Sequence, residues 1–599
     1  MNKTKTEFDV IVVGGGHAGA EAAYAAAKAG SATLLLTFDK TKICLMPCNP
    51  AIGGVGKGHI VYEISALGGL MPKLCTSTYL QARMLNTKKG PAVQGLRLQI
   101  DKHAYAKLAQ EKLSVVQNLT IVQDCVEELL IDNNIIQGIK TQNDGIFLAK
   151  TVVLTTGTFL NGTLHVGKKK WQGGRIDEAA ATGLSESLQQ AGIKLGRLKT
   201  GTPPRIKKST VDFSKMEKQE AANLHYLFDF FPHPTKNTHA CFITRTNEKT
   251  HKIIQSNLDK SAMYSGNISG IGPRYCPSIE DKIARFAHRT GHQIFVEPEG
   301  IDSQDLYPNG ISTSLPHDVQ NAYVKTIAGF QNAEITAYGY AVEYDYAQPD
   351  QLKPTLETKK IAGLFLAGQI NGTTGYEEAA GQGLLAGINA HLLHSKQKPF
   401  VLDRSESYIG VMIDDLINFG VDEPYRMFTS RAERRLLLRQ DNVFLRLMDK
   451  GYALGLVDKK TYQKFEQEKK VFEKTLKKLN DLYNQAQLTK LFCQPGGNPK
   501  LLQKIAEMPL SERNLQTLHA EILYAPYLQR EKKEIERTKQ YQQLKIPNDF
   551  NYKNLPGLSI ELQEKLIRYK PKSIADASLV PGMTPAALSL LIFKTRQKG

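Results

Sequence analysis

The chain has 599 residues, of which 41% are hydrophobic and 23% are charged, as expected for a globular protein with two to four domains. Its net charge of +18 suggests an anionic partner larger than a cofactor, with nucleic acid as the first candidate and a general solubility charge as the alternative. Seven scattered cysteines without metal-ligand spacing argue against a disulfide framework and against a metal site.

The N-terminal segment Met1–Glu7 is polar, and no apolar run is long enough to cross a bilayer. We therefore expect a cytoplasmic protein with no membrane partner.

A glycine fingerprint follows the first apolar run. Val10–Val13 is predicted to be a buried strand, which leads through Gly14-x-Gly16-x-x-Gly19 into an alanine-rich helix at Ala20–Ala29 and a second apolar run at Ala32–Leu36. In such a βαβ unit the glycines permit a tight turn and bring the backbone close to a pyrophosphate, which the helix N-terminus binds. The sequence therefore predicts a nucleotide site at residues 14–19.

The end of the second strand discriminates between nucleotides. An NAD site usually has an acidic residue there to hold the ribose hydroxyls, whereas this chain has Thr37, with Asp39 two residues further on. A threonine hydroxyl makes a weaker hydrogen bond, so the pattern favours FAD over a simple NAD dehydrogenase.

Two later motifs repeat the change from strand to glycine, at Val152–Gly157 and at Gly363–Gln369. Three such motifs are typical of two-dinucleotide-binding flavoproteins, in which the last one brings a helix N-terminus towards the flavin. Gln369 stands where many of these proteins have aspartate, and its amide can still bind a ribityl hydroxyl. We predict an α/β fold with a Rossmann-like FAD-binding domain, an insertion and an all-α C-terminal domain.

The spacing of the motifs predicts the domain boundaries. About two hundred residues separate the second motif from the third, too many for a loop. We expect the FAD-binding domain at 1–205 and 271–400, with an insertion on the substrate or NAD side at 206–270. Glycine becomes rare after about residue 400, which predicts a helical domain with a basic face at 401–545 and a C-terminal helical tail at 546–599.

Three arginines in the helical region are spaced four residues apart. On a helix, Arg431, Arg435 and Arg439 would share one face, and guanidinium groups bind phosphates in bidentate fashion. We predict that this row binds nucleic acid. The apolar residues of the tail exceed what two short helices can bury alone, so the tail is expected to pack on upstream helices or on another protein.

Two cysteines lie in segments whose backbone is fixed by proline, Cys48 and Cys276. A rigid backbone is useful when a reactive thiol must be aimed, while the alternative is that both are small buried hydrophobic residues. Cys44 and Cys48 also suggest a redox dithiol, although their spacing is one residue short of that in flavin disulfide reductases.

Six segments, taken together, resemble one family: Gly14–Gly19, Cys48–Gly54, Lys199–Arg205, Gly272–Asp281, Gly368–Ala379 and Pro424–Glu433. This family is the FAD subunit of the tRNA uridine 5-carboxymethylaminomethyl modification enzyme, called MnmG or GidA. The resemblance continues to the Pro-Gly-Met-Thr-Pro segment at 581–585.

The resemblance implies an enzyme that uses FAD and NADH to modify the wobble uridine of certain tRNAs. Methylenetetrahydrofolate would provide one carbon, and glycine or ammonium the amine. It also implies a homodimer that works with the GTPase MnmE, as a heterotetramer, and catalysis by Cys48 and Cys276.

The resemblance also places the cofactor contacts. The FAD contacts would be Gly14, Gly15, Gly16, His17, Ala18, Gly19, Val126, Ser185 and Gln369. The residues facing NAD would be Gly272, Pro273, Arg274, Tyr275, Cys276, Pro277, Ser278, Ile279, Glu280, Asp281, Lys282, Ile283, Ala284, Arg285 and Phe286.

Two other functional classes remain open at this point. One is a flavin oxidoreductase acting on a small molecule or a disulfide, supported only by Cys44 and Cys48. The other is a folate- and FAD-dependent tRNA uridine methyltransferase of the same superfamily, which we expect to be shorter and to lack the helical region beyond about residue 450.

Overall fold

The computed structural model describes residues 6–274, 277–494, 501–506, 508–553, 555 and 557–598. The strands are β1 (Thr6–Glu7), β2 (Val10–Val13), β3 (Thr33–Thr37), β4 (Ala51–Gly53), β5 (Tyr79–Leu85), β6 (Gly95–Ile100), β7 (Leu119–Gln123), β8 (Val126–Asp132), β9 (Ile135–Thr141), β10 (Ile146–Leu148), β11 (Val152–Leu154), β12 (Thr163–Val166), β13 (Lys169–Gln172), β14 (Leu195–Thr202), β15 (Arg205–Lys207), β16 (Glu217–Gln219), β17 (Cys241–Arg245), β18 (Gln293–Pro298), β19 (Asp305–Asn309), β20 (Ile335–Ala337), β21 (Tyr340–Ala347) and β22 (Leu364–Leu366).

The α-helices are α1 (His17–Lys28), α2 (Lys57–Ala66), α3 (Met71–Thr78), α4 (Lys102–Ser114), α5 (Gly183–Gln190), α6 (Glu248–Gln255), α7 (Ile279–Arg285), α8 (His317–Val324), α9 (Tyr376–His394), α10 (Tyr408–Phe419), α11 (Val443–Ala453), α12 (Lys459–Leu482), α13 (Gln485–Phe492), α14 (Leu501–Ile505), α15 (Glu512–Gln543), α16 (Ile560–Tyr569), α17 (Ile574–Ser578) and α18 (Pro585–Lys598).

A five-stranded parallel sheet forms the centre of the nucleotide-binding fold, in the order β22-β11-β2-β3-β7. All four residues of β2 are buried, as a strand covered on both faces requires. Helices α1 and α9 pack against each other, and Gly383 and Gly387 of α9 lie so close to the backbone of α1 at Ala18 and Ala22 that no Cβ would fit. The three strand-to-glycine motifs thus end at one edge of one sheet, and the predicted α/β Rossmann-like fold is confirmed.

A second core belongs to the insertion. Its six-stranded antiparallel sheet, in the order β16-β17-β18-β19-β15-β20, runs from Arg205 to Ala337. The buried residues that pack on it span 206–333. The insertion therefore extends past the boundary predicted at 270, because β18, β19 and β20 complete the sheet that begins before it.

The region beyond residue 400 consists of helices α10 to α18 in the described part of the chain. The tail has a core of its own, which includes Ile546, Phe550, Leu566 and Leu591. That core is joined to the rest of the protein at Phe419 of α10, whose ring makes an edge contact with Tyr569 at 5.1 Å between centroids.

The helix predicted for Arg431, Arg435 and Arg439 does not form, so that prediction is wrong. Only a short 3-10 turn, Thr429–Arg431, precedes a series of turns up to Asn442. Arg439 is fully buried and forms ion pairs with Asp441 and Glu521. A buried guanidinium must be paired. The need to reach these two partners, rather than the four-residue spacing of the arginines, therefore decides the conformation of this segment.

Glu21 of α1 caps a neighbouring helix from inside the core. Its carboxylate accepts hydrogen bonds from the backbone N–H groups of Leu70 and Met71, at the start of α3. Burial raises the pKa of Glu21 to about 7, although these hydrogen bonds offset part of the effect. The folded state therefore holds this proton more tightly than the unfolded chain does.

We predict that Glu21→Gln removes one source of pH dependence in stability. Stability from Glu21 is fully present below its unfolded pKa of about 4.5 and is lost as the pH rises through about 7. Between pH 4 and pH 8 the wild type should lose about 3 kcal/mol relative to the variant, measured by denaturant unfolding. Glu473→Gln, at an exposed position on α12, is the control, and parallel curves for wild type and Glu21→Gln would contradict the prediction.

Candidate functional site

A cleft with about 770 Å³ of empty volume opens at the carboxyl ends of β2, β3 and β11. Its lining residues are Val13, Gly14, Gly15, Gly16, Leu36, Thr37, Phe38, Asp39, Lys42, Leu45, Asp124, Cys125, Val126, Thr155, Thr156, Gly157, Phe159, Arg175, Glu178, Ala181 and Leu184. This is the edge at which open α/β sheets bind nucleotides.

Glycine is needed at each of the three fingerprint positions for a different structural reason. Gly14 has φ +107°, and a Cβ there would lie 2.5 Å from the carbonyl oxygen of Thr155. A Cβ at Gly19 would lie 1.7 Å from the carbonyl oxygen of Gly14, so only glycine lets α1 approach the turn. At Gly16 a Cβ would meet no atom within 4 Å, so the backbone there faces open space in which a ligand can approach it.

Two polar atoms in the cleft wall are buried without a hydrogen-bond partner in the described part of the chain. They are the Thr156 hydroxyl and Nη1 of Arg175. The other end of the Arg175 guanidinium is held by Glu178 at 3.2 Å. Buried polar groups are normally satisfied, so this pair indicates a missing acceptor, and a cation in the wall suits an anionic group such as a pyrophosphate.

The predicted FAD contacts do not all line this cleft. Gly14, Gly15, Gly16 and Val126 do. Gln369 lies beside Gly157, 3.9 Å from the position of a Cβ there. Ser185 is buried behind Leu184 and donates its hydroxyl hydrogen bond to Asp345 at 2.5 Å, so it supports the wall rather than facing the space.

His17, Ala18 and Gly19 belong to α1 and are buried. The ring of His17 stacks on Tyr376 with 4.5 Å between centroids, and burial lowers the pKa of His17 to about 4. The imidazole is therefore neutral at physiological pH, and Tyr376 connects the start of α1 to the neighbouring thiol loop.

The loop that carries Cys48 is held at the start of α9. The backbone N–H of Cys48 donates to the Tyr376 hydroxyl at 2.9 Å, and that of Gly53 donates to Glu377 at 2.7 Å. Arg205 approaches from the opposite side and donates to the carbonyl oxygen of Pro47 at 2.6 Å. Segments that are far apart in the sequence thus converge on the loop that carries this thiol.

Charged and phenolic groups surround Cys48. Arg205 interacts electrostatically with Cys48, and its guanidinium is oriented by Glu299 at 2.7 Å. Burial, and then the proximity of Cys48, raise the pKa of Tyr340 to about 12. A cation beside a thiol favours the nucleophilic thiolate, so the surroundings fit a reactive cysteine better than a small core residue.

Cys44 does not share this environment. It is buried, and burial raises the pKa of its thiol far above the usual value. A redox dithiol needs two accessible sulfurs with thiolate character, so the proposed Cys44–Cys48 pair loses its support.

The segment Gly272–Phe286 is not a single surface, although the sequence predicted that it faces NAD. Tyr275 and Cys276 lie outside the described residues. Ile279, Glu280 and Ile283 of α7 are buried in the insertion core, where Glu280 accepts a hydrogen bond from the backbone N–H of Ser314. Of the predicted residues described here, the exposed ones are Arg274, Ala284, Arg285 and Phe286.

The loop before this segment is anchored by Glu343 of β21. Its carboxylate accepts hydrogen bonds from the backbone N–H groups of Ser269 and Gly270 at 3.0 and 2.6 Å. Burial on its own would raise the pKa of Glu343. Hydrogen bonds from His165 and Ser269, together with the charge of Arg197, outweigh burial and lower this pKa to about 2. The chain that leads to Cys276 therefore starts from a fixed point on the sheet that also carries Tyr340.

Comparisons with known proteins agree with this geometry. A family model described as "Glucose inhibited division protein A" matches residues 9–398, and another, "tRNA modifying enzyme MnmG/GidA C-terminal helical bundle", matches residues 534–599. The chain belongs to the MnmG/GidA family.

Full-length relatives support the same conclusion. The chain is 48% identical to the "tRNA uridine 5-carboxymethylaminomethyl modification enzyme MnmG" of Thermodesulfovibrio yellowstonii, over 100% of this chain and 99% of that protein. The protein of the same name from Geotalea uraniireducens is 47% identical over 98% and 97%. The solved structure of GidA from Aquifex aeolicus matches with a TM-score of 0.86 at 42% identity, covering 98% of each chain.

The MnmG/GidA family consists of tRNA-modifying flavoproteins, so the resemblance inferred from the sequence is confirmed. The cleft fits the FAD of such a protein, because the open backbone at Gly16, the unpaired Arg175 nitrogen and the Thr156 hydroxyl match a diphosphate and a polyol. Among the residues that the structure describes, no helix is both long and apolar enough to cross a membrane.

We predict that Gly16→Val empties the flavin site without unfolding the protein. The valine side chain would enter space that no protein atom occupies but that the ligand needs. The flavin absorbance per mole of protein should fall at least tenfold, while the circular dichroism spectrum stays unchanged. Full flavin content in Gly16→Val would mean that the cofactor binds elsewhere.

Proposed function

We propose that this protein uses FAD and NADH to install a 5-carboxymethylaminomethyl or aminomethyl group on the wobble uridine of certain tRNAs. The added carbon comes from methylenetetrahydrofolate, and a GTPase of the MnmE type is the partner. The observation that supports this most directly is the convergence of the Cys48 loop, Arg205 and the start of α9 beside the nucleotide cleft. The names of the full-length relatives supply the reaction.

The proposed chemistry requires a thiolate. The 5-carbon of uridine is a poor nucleophile, and addition of a thiolate at the neighbouring carbon converts the ring to an enolate that can attack an electrophilic methylene group. Arg205 interacts electrostatically with Cys48, and a cation beside a thiol favours the nucleophilic thiolate. Cys276 is the second thiol of the proposal, and the division of roles between the two is left open. FAD, when bound, supplies the redox chemistry of the one-carbon unit.

Fewer arginines are proposed as tRNA contacts than the sequence predicted. Arg435 is exposed. Arg431 is partly exposed and lies over the Tyr425 ring at 4.2 Å, so it can reach an anion from a fixed position. Arg439 is excluded, because breaking its buried pairs would destabilise the fold. A homodimer, and a heterotetramer with the GTPase, complete the proposal.

The two alternatives receive no support from particular residues. The burial of Cys44 removes the basis for a disulfide oxidoreductase. A shorter methyltransferase would lack the helical region that this chain shares with relatives of equal length. Mass spectrometry of tRNA from a deletion strain, with and without this protein, tests the proposal; no change in any modified uridine would overturn it.

We predict that Cys48→Ser and Cys276→Ser each abolish tRNA modification while retaining FAD. A serine hydroxyl keeps the size of the thiol but forms almost no anion at neutral pH, so the rate should fall at least a thousandfold. Nucleoside mass spectrometry measures the product, and the absorbance spectrum measures the flavin. Cys493→Ser is the control, because that thiol contacts the carbonyl oxygen of His519 in the helical region. A normal product level in either variant would remove that residue from the mechanism.

We predict that deletion of residues 546–599 abolishes binding of the GTPase while leaving flavin content and NADH oxidation nearly intact. The tail has a separate core, and its contacts with the remainder include Phe419, an ion pair between Arg568 and Asp422, and the packing of α17 on α15. Size-exclusion chromatography of the mixed proteins is the measurement. Co-elution of the truncated protein with the GTPase would place the docking surface elsewhere.

A further inference from the structure

An exposed edge strand carries the only tryptophan of the chain. β13 forms one edge of a four-stranded sheet in the order β13-β12-β21-β14, and all four of its residues are exposed. Three lysines, Lys168, Lys169 and Lys170, directly precede Trp171, whose side chain is 41% exposed. None of these lysines has a carboxylate partner in the part of the chain that the structure describes.

The two faces of the strand differ. Trp171 lies opposite Leu164, and Lys169 opposite Val166, so Lys169 and Trp171 share one face while Lys170 points to the other. Lys169 also interacts electrostatically with His317, an exposed residue whose ring stacks on Tyr338 with 3.8 Å between centroids. Exposed lysines and aromatic rings are therefore neighbours here, and we call this surface the β13 surface (Lys168–Trp171 with His317 and Tyr338).

The β13 surface is connected to the thiol site by a short segment. The chain passes from Gln172 through two glycines to Arg175 in the cleft wall. The next residue, Ile176, provides a backbone hydrogen bond to Tyr340, which also interacts with Cys48 and Arg205. The β13 surface is therefore linked to the surroundings of Cys48 by residues 173–176 and the hydrogen bond to Tyr340.

We propose that the β13 surface binds the RNA strand next to the target uridine. Trp171 stacks on a flanking base, and the three lysines contact the phosphates. This inference rests on the proposed function and names the RNA contact that the function requires. Stacking on an aromatic ring together with lysine contacts to the backbone is the usual way in which proteins hold single-stranded nucleic acid.

The chemistry favours RNA over other occupants. Lysine on an edge strand also discourages pairing with a second chain, and three unpaired cations in a row would repel the same row on a second copy. Protection of the edge explains the lysines but not an exposed tryptophan between them and the cleft. RNA satisfies both, because it carries phosphates and flat bases.

The single tryptophan gives a direct test on the unmodified protein. All intrinsic tryptophan emission comes from Trp171. We expect emission from the flavin-loaded protein to change saturably on titration with substrate tRNA, with the midpoint equal to the dissociation constant from filter binding. Binding of tRNA without any change in emission would overturn the inference. A change on dilution of the protein alone would also overturn it, because the strand would then lie between two copies.

Variants separate the two kinds of contact. Trp171→Ala should weaken tRNA binding by about five- to a hundredfold, and Trp171→Phe should retain most of the affinity. Replacing Lys168, Lys169 and Lys170 by alanine should reduce the slope of log K against log salt by about 2 to 3. The matched control replaces Lys474, Lys477 and Lys478, which are exposed on α12, and should leave the slope unchanged. Equal slopes for the two triple variants would overturn the lysine contacts.

The outcome also distinguishes this inference from the proposed function. If the wild-type protein modifies no tRNA, the proposed function fails. If it modifies tRNA at the normal rate while Trp171 emission and both variants are unaffected, only the role of the β13 surface fails. Flavin content of each variant shows whether it has folded.

Discussion

The site depends on one buried ion cluster at the start of α9. Lys57 lies 2.7 Å from Glu377 and 3.2 Å from Glu378, and all three side chains are largely removed from solvent. Two adjacent carboxylates could not remain charged there without a cation, and breaking such a buried pair typically costs about 3–5 kcal/mol. The N-terminal end of the helix adds positive potential from its unpaired N–H groups.

Each member of the cluster fixes a different part of the site. Glu377 holds the loop that follows Cys48 through the N–H of Gly53, while Glu378 holds the N–H of Met427 at 3.0 Å. Tyr376, directly before them, binds the Cys48 backbone and stacks on His17 at the start of α1. The thiol, the nucleotide cleft and the entry to the helical region are therefore positioned by three consecutive residues, and a local sequence motif has a long-range structural effect.

The sequence was sufficient where local chemistry decides the structure. The fingerprint at 14–19 predicted both the strand–turn–helix and the cleft, because the positive φ of Gly14 and the close approach of Gly19 to the Gly14 carbonyl oxygen are set within the motif itself. Prediction from the sequence failed where residues far away in the chain decide the local conformation. Arg439 has the spacing of an exposed helical arginine, but its conformation is set by Asp441 and Glu521, the latter 82 residues away. The insertion boundary was misplaced for the same reason, since strand β15 pairs with β19 and β20 about one hundred residues later.

The connection between the tail and the flavin edge follows from contacts of one short segment. α10 ends at Phe419, and two residues later Val421 packs so tightly on Gly372 that a Cβ on Gly372 would lie 2.5 Å from the Val421 side chain. Asp422 pairs with Arg568 of the tail. Tyr425 exchanges backbone hydrogen bonds with Gly372 and Thr374, in the loop that follows Gln369. The Asp422–Arg568 pair and the Tyr425 hydrogen bonds therefore connect the tail to the loop between Gln369 and Tyr376. That loop ends at Tyr376, whose hydroxyl accepts the backbone hydrogen bond of Cys48, so bonded segments connect the tail to the thiol loop.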